Sequence, residues 1–113
     1  MIFDVKLSEQ ADNDLRNIYE YIAFELQSPE NADGQLNRLE KVILSLEEMP
    51  ERFKRYDKEP WHSQGLCIFP IDHYLVVYIP DLKLQQVTII RVLYDRRNLD
   101  DELKLHTKIK TES

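Results

Sequence analysis

With 1 cysteine and 2 glycines in 113 residues, the chain is poor in two residue types on which many small binding and redox sites depend. Cys67 alone makes no internal disulfide, and one thiol with 3 scattered histidines makes no metal cluster, so no metal site is expected. A phosphate-cradling loop is excluded by the same shortage of glycine, and nothing else points to a cofactor. Long apolar runs are missing too. Stretches such as Leu75 to Ile79 fall far short of the ~20 residues that span a bilayer, and the amino terminus lacks a basic segment followed by an apolar block. The expectation is a protein of the reducing cytoplasm without membrane contact. An excess of positive charge is the last absence. The net charge of −6, from 15 Lys/Arg against 21 Asp/Glu, argues against simple counterion-releasing nucleic-acid binding and against sequence-specific DNA binding by this chain alone. Residues 1–50 hold 4 basic and 11 acidic side chains, whereas residues 51–113 hold 11 and 10, so all the excess acid lies in the first half. A solvated acidic helical face accounts for it.

What is present is a globular composition, 42% hydrophobic and 32% charged, enough for one core. We expect a single domain over residues 1–105 with 106–113 as a frayed tail. Met1 to Leu7 has the alternation of a short strand and stops at Ser8, a good helix N-cap. Ala11, Leu15, Ile18, Ile22 and Leu26 then recur at spacings of three and four, which predicts a helix from about Ser8 to Leu26. Ser28-Pro29-Glu30 supplies a second helix start. Ala32, Leu36, Leu39, Ile43 and Leu46 form its apolar stripe, and Pro50 its end. Residues 51–64 have no period and read as a loop. A hairpin follows, from Leu66 to Phe69 and Tyr74 to Ile79 with Asp72-His73 as its turn, then a third late strand, Val87 to Tyr94. Asp100 to Leu105 has the makings of a short helix. The order β-α-α-β-β-β predicts an α+β domain, a mostly antiparallel sheet with a helix hairpin on one face.

Several fragments in this order resemble toxins of the RelE/ParE superfamily from bacterial type II toxin–antitoxin modules. They are Leu7-Ser8-Glu9-Gln10-Ala11, Asp14-Leu15-Arg16-Asn17-Ile18 with Tyr21-Ile22, Leu46-Glu47-Glu48-Met49-Pro50, Tyr74-Leu75-Val76-Val77-Tyr78 and the closing Arg91-Val92-Leu93-Tyr94-Asp95-Arg96-Arg97-Asn98. The resemblance covers nearly the whole chain. It implies a RelE/ParE-like fold and a growth inhibitor held inactive by a cognate antitoxin protein. In the RelE branch such proteins are metal-independent endoribonucleases that cleave messenger RNA on the ribosome; in the ParE branch they poison DNA gyrase and are not nucleases. The paired arginines of the closing segment look more like the ParE type, so gyrase is the favoured target and the ribosome the alternative. A third reading keeps the fold and antitoxin binding without toxicity.

A metal-free ribonuclease needs a base, an acid and cations for the crowded phosphate. Arg91 interrupts an apolar strand; its side of the strand is expected to be the open face, shared by period two with Ile89 and Leu93, unless it is a structural arginine paired with Asp95 or Asp72. Lys54 and Arg55, in the loop after the second helix, approach the same face if the chain is RelE-like, with Tyr94 at the strand exit. Under the gyrase reading, Arg96, Arg97 and Arg91 form the target-binding set. His62 and His73 are spare acid–base candidates, and Trp61 either stacks on a base or packs on the core. The antitoxin is expected on the open sheet face or in the groove beside the helix pair.

Overall fold

The computed structural model describes residues 2–48, 50, 53–94 and 99–107. The first strand, β1, is Asp4–Leu7, shorter than the alternation predicts. Ser8 turns it into α1, Glu9–Glu20: its Oγ accepts the Ala11 N–H at 3.0 Å and donates to the Ile90 carbonyl at 2.8 Å, so one hydroxyl caps the helix and ties it to the sheet. The helix does not continue regularly to Leu26. Tyr21–Glu25 is a π-helical turn in which Leu26 N–H reaches back to the Tyr21 carbonyl at 3.0 Å. The added residue rotates the apolar stripe, so Ile22 remains buried while Leu26 is 56% exposed.

The second helix, α2, is Pro29–Ser45, as the proline and stripe foretell. Ser28 serves through its backbone only: its carbonyl accepts from Ala32 N–H at 3.0 Å, and its side chain makes no capping bond. The connection of a few residues after the π turn makes α1 and α2 a hairpin. Three strands follow, β2 (Cys67–Ile71), β3 (Tyr74–Asp81) and β4 (Gln86–Tyr94), and then the helix α3 (Leu99–Leu105). In space the order is β1-β4-β3-β2, with β1 parallel to β4 and the other two pairings antiparallel. The architecture is therefore the α+β sheet and helix hairpin read from the sequence.

The helix hairpin covers one face. Leu15, Leu39 and Ile43 pack there against Tyr74, Val76 and Tyr78 of β3 and Val87, Ile89 and Val92 of β4. Leu39 is fully enclosed, so Leu39→Ala should cost about 2–5 kcal/mol through lost burial and the cavity left behind, read as a fall in the denaturant midpoint at unchanged slope.

The opposite face is not open, which corrects the sequence expectation. Leu99 and Leu103 of α3, with Trp61 and Leu66 of the loop before β2, cover Leu75, Val77, Ile90 and Leu93. Every residue from Tyr74 to Tyr78 is buried, as happens when a strand is covered on both sides. Period two also fails in β4. The register shifts between Val77 and Tyr78, pairing Val77 with Arg91 and Tyr78 with Ile89, so Ile90 is an extra residue and Ile89 and Arg91 face opposite layers. Trp61 takes the core role, 4% exposed.

Candidate functional site

Arg91 sits where β1 has ended and β4, still paired with β3, has no strand on its other side. The Ser8 N–H makes the last backbone bond on that edge, to the Ile89 carbonyl at 2.9 Å. Beyond it the α1 residue Asp14 takes over, accepting the Val92 N–H at 2.9 Å on Oδ2. Arg91 grips the same carboxylate in two places, Nε to Oδ2 at 2.7 Å and NH2 to Oδ1 at 2.8 Å. Its NH1 reaches the other layer: the His106 carbonyl at 3.0 Å, the Thr107 hydroxyl at 3.2 Å and Glu102 of α3 at 3.4 Å. The pair is well enclosed, with side-chain exposures of 11% and 12%. Asp14 first, then Glu102, push the guanidinium further towards its charged form despite burial. All three nitrogens are committed to holding α1, β4 and the segment after α3 together. Arg91 is thus a paired arginine, but its partners are Asp14 and Glu102. Asp72 is engaged elsewhere, by Gln35 at 3.0 Å and then Arg38 at 3.1 Å, contacts that hold its carboxyl below the usual carboxylate range; Asp95 lies outside the described residues.

The other sequence candidates are dispersed. Tyr94 is 68% exposed at the end of β4, edge-on to Tyr74 with ring centres 5.5 Å apart and near His73 at 6.2 Å. Lys54 and Arg55 are exposed at the opposite corner, where Arg55 bridges to Cys67. Tyr94 pairs with Tyr74, and Cys67 with Tyr78, so the Arg55 and Tyr94 backbones stand three strand spacings and four residues apart. That is on the order of 20 Å. No constellation of Arg91, Tyr94, Lys54 and Arg55 forms around one phosphate. Arg96 and Arg97 lie outside the described residues. His62 is exposed in the loop, and among the described residues no group of 3 or more His, Cys, Asp or Glu side chains converges as metal ligands do.

A second tie holds α3 from its other end. Asp100 accepts from the Tyr56 hydroxyl and from Lys58 Nζ. Burial, and after it the Asp100 carboxylate, hold the Tyr56 phenol well above its ordinary 10.0. Because its folded value is raised, the stability it contributes is complete below about pH 10 and is lost as the pH climbs further. Lys58, raised by Asp100, acts in the same direction. Wild-type denaturant stability followed by Trp61 fluorescence should therefore fall more steeply above pH 10 than that of Tyr56→Phe, since Trp61 lies 6.0 Å from the Tyr56 ring.

One groove has the dimensions of a partner site. It has a volume of about 700 Å³ between β1 and the helix hairpin. Val5, Leu7, Leu15, Leu36 and Leu44 give it an apolar floor, and Glu20, Asp33 and Glu40 an acidic rim. Leu7 and Leu44 are 44% and 60% exposed. Sequence reasoning missed Asp14 and Glu102 as partners of Arg91. Asp14 is 77 residues from Arg91, beyond any local pattern.

The family model described as ParE toxin of type II toxin-antitoxin system, parDE, matches residues 5–99. Among solved structures, the chain is similar to a chromosomal ParDE toxin–antitoxin system from P. aeruginosa, at TM-score 0.70 and 14% identity, over 84% of this chain and 98% of that one. It is also similar to the RelBE2 toxin–antitoxin complex from Mycobacterium tuberculosis, at TM-score 0.62 and 20% identity, over 83% and 92% of the two chains. No curated protein matches the sequence. No helix among the described residues is long and apolar enough to cross a membrane.

Proposed function

Since the chain belongs to the ParE toxin family of type II toxin–antitoxin systems, we propose that it is a growth inhibitor that acts on DNA gyrase by protein contact and is silenced by a cognate antitoxin. The observation that carries the gyrase reading is the state of Arg91. A phosphate-stabilising cation must be free to meet its substrate, and this one is spent on Asp14, Glu102 and the His106 carbonyl. The separation of Lys54 and Arg55 from Tyr94 and the acidic balance of the chain point the same way. Arg96 and Arg97 are the proposed gyrase contacts, on the strength of the closing sequence pattern.

The antitoxin belongs in the groove beside the helix hairpin. An apolar floor rimmed by Glu20, Asp33 and Glu40 suits an amphipathic helix with basic flanks. The opposite sheet face is taken by α3 and Trp61. Purified protein should inhibit supercoiling by gyrase, and the pair Arg96→Ala with Arg97→Ala should weaken that inhibition at least tenfold, as loss of two arginine anchors does. Unaltered supercoiling at high molar excess of a folded, antitoxin-free sample contradicts the reading.

A further inference from the structure

A second pocket, of about 550 Å³, opens at the corner of the sheet farthest from Tyr94, between the loop before β2 and the turn joining β3 to β4. Its composition runs against the rest of the molecule. In a chain of net charge −6, Arg55 and Lys83 both line it, and neither has a carboxylate partner among the described residues. The one carboxylate in its wall, Asp81, accepts the backbone N–H groups of Lys83 and Leu84 on Oδ1, at 3.0 and 3.1 Å, so the wall holds two positive charges against one negative. That bond fixes the turn that carries Lys83. Gln64 also lines the pocket, and its Oε1 is the one buried side-chain oxygen or nitrogen among the described residues that lacks a hydrogen-bond partner. Phe53, Ile79 and Leu82 supply apolar wall, and Leu82 is 58% exposed.

Two features therefore converge, two exposed cations without a carboxylate partner and exposed apolar surface at Leu82. An aspartate or glutamate within a polypeptide, next to a large apolar residue, complements both. Its carboxylate would face Arg55 and Lys83, and its neighbour would lie on Leu82 and Ile79. A nucleic-acid phosphate meets the first alone. We propose that this pocket is a docking site for an acidic, apolar-flanked polypeptide segment of a partner protein. It lies apart from the groove beside the helix hairpin, and it stands whether or not gyrase is the target.

The test is titration of the labelled full chain with the acetylated, amidated peptide Gly-Ser-Leu-Glu-Phe-Ser-Gly, with its Leu-Gln-Phe counterpart as control, followed by backbone amide resonances. Shifts should centre on Gln64, Gly65 and Lys83. Arg55→Glu with Lys83→Glu should weaken binding roughly tenfold or more, and so should the glutamine peptide, since each removes the charge-assisted bonds. Lys41→Glu, a charge reversal on α2 outside this pocket, should leave it unchanged. The proposal is overturned by absence of shifts at millimolar peptide, by equal binding of both peptides, or by inorganic phosphate or a short DNA duplex producing the same shifts where the peptide produces none.

Discussion

Arg91→Ala should destabilise the protein by about 3–5 kcal/mol, among the largest losses available to any single substitution here, because it strands a nearly buried carboxylate. Asp14 would keep the Val92 N–H and lose both guanidinium bonds, while the His106 carbonyl and Thr107 hydroxyl would lose their donor. Asp14→Asn separates charge from geometry. Its amide oxygen still accepts from Val92, so its loss should be smaller, about 1–3 kcal/mol. Both are read from denaturant midpoints. A loss under about 1 kcal/mol for Arg91→Ala would mean that the guanidinium is dispensable to the fold, and with it the argument that Arg91 is unavailable for phosphate chemistry.

The second large effect concerns binding. Leu7→Glu combined with Leu44→Glu should leave the fold intact, since both side chains are already substantially exposed, yet place two charges in the apolar floor of the groove. Antitoxin affinity should fall roughly 30-fold or more, the loss expected when central apolar anchors are replaced by charge. The added carboxylates would attract a basic helix, so the fall in affinity is the apolar loss net of an electrostatic gain. Calorimetric titration with a cognate antitoxin measures it. Unchanged affinity with native-like amide spectra would place the antitoxin elsewhere on the molecule.

The helix hairpin and the order of elements along the chain were legible in the sequence because period and punctuation agreed. Pro29, the stripe from Ala32 to Ile43 and the Ser8 cap each carry a local signal that the folded chain uses. The π-helical turn at Tyr21–Glu25 was not legible, because Leu26 keeps a helical spacing that only backbone geometry breaks. The bulge at Ile90 escaped for a related reason: one extra residue in β4 reverses the face of Arg91, and nothing in an apolar run marks its position. The covered second face had a signal, the unbroken burial-prone run Tyr74 to Tyr78, which an alternating half-exposed strand would not show. Candidate residues were recognisable by type, but their roles depended on distant neighbours. Arg91 drew its meaning from Asp14, and Arg55 from Lys83 and Gln64, none of them close in sequence.

The proposed function is growth arrest through gyrase and not through cleavage of messenger RNA. Its most direct test is induction of the lone chain in a bacterial host, with messenger integrity and the DNA-damage response followed in the same cells. Prompt induction of the damage response, with messengers intact and growth restored by co-expressed antitoxin, is the expected result. Codon-phased cleavage of messengers without DNA damage would contradict it, as would unimpaired growth in the presence of full-length soluble protein.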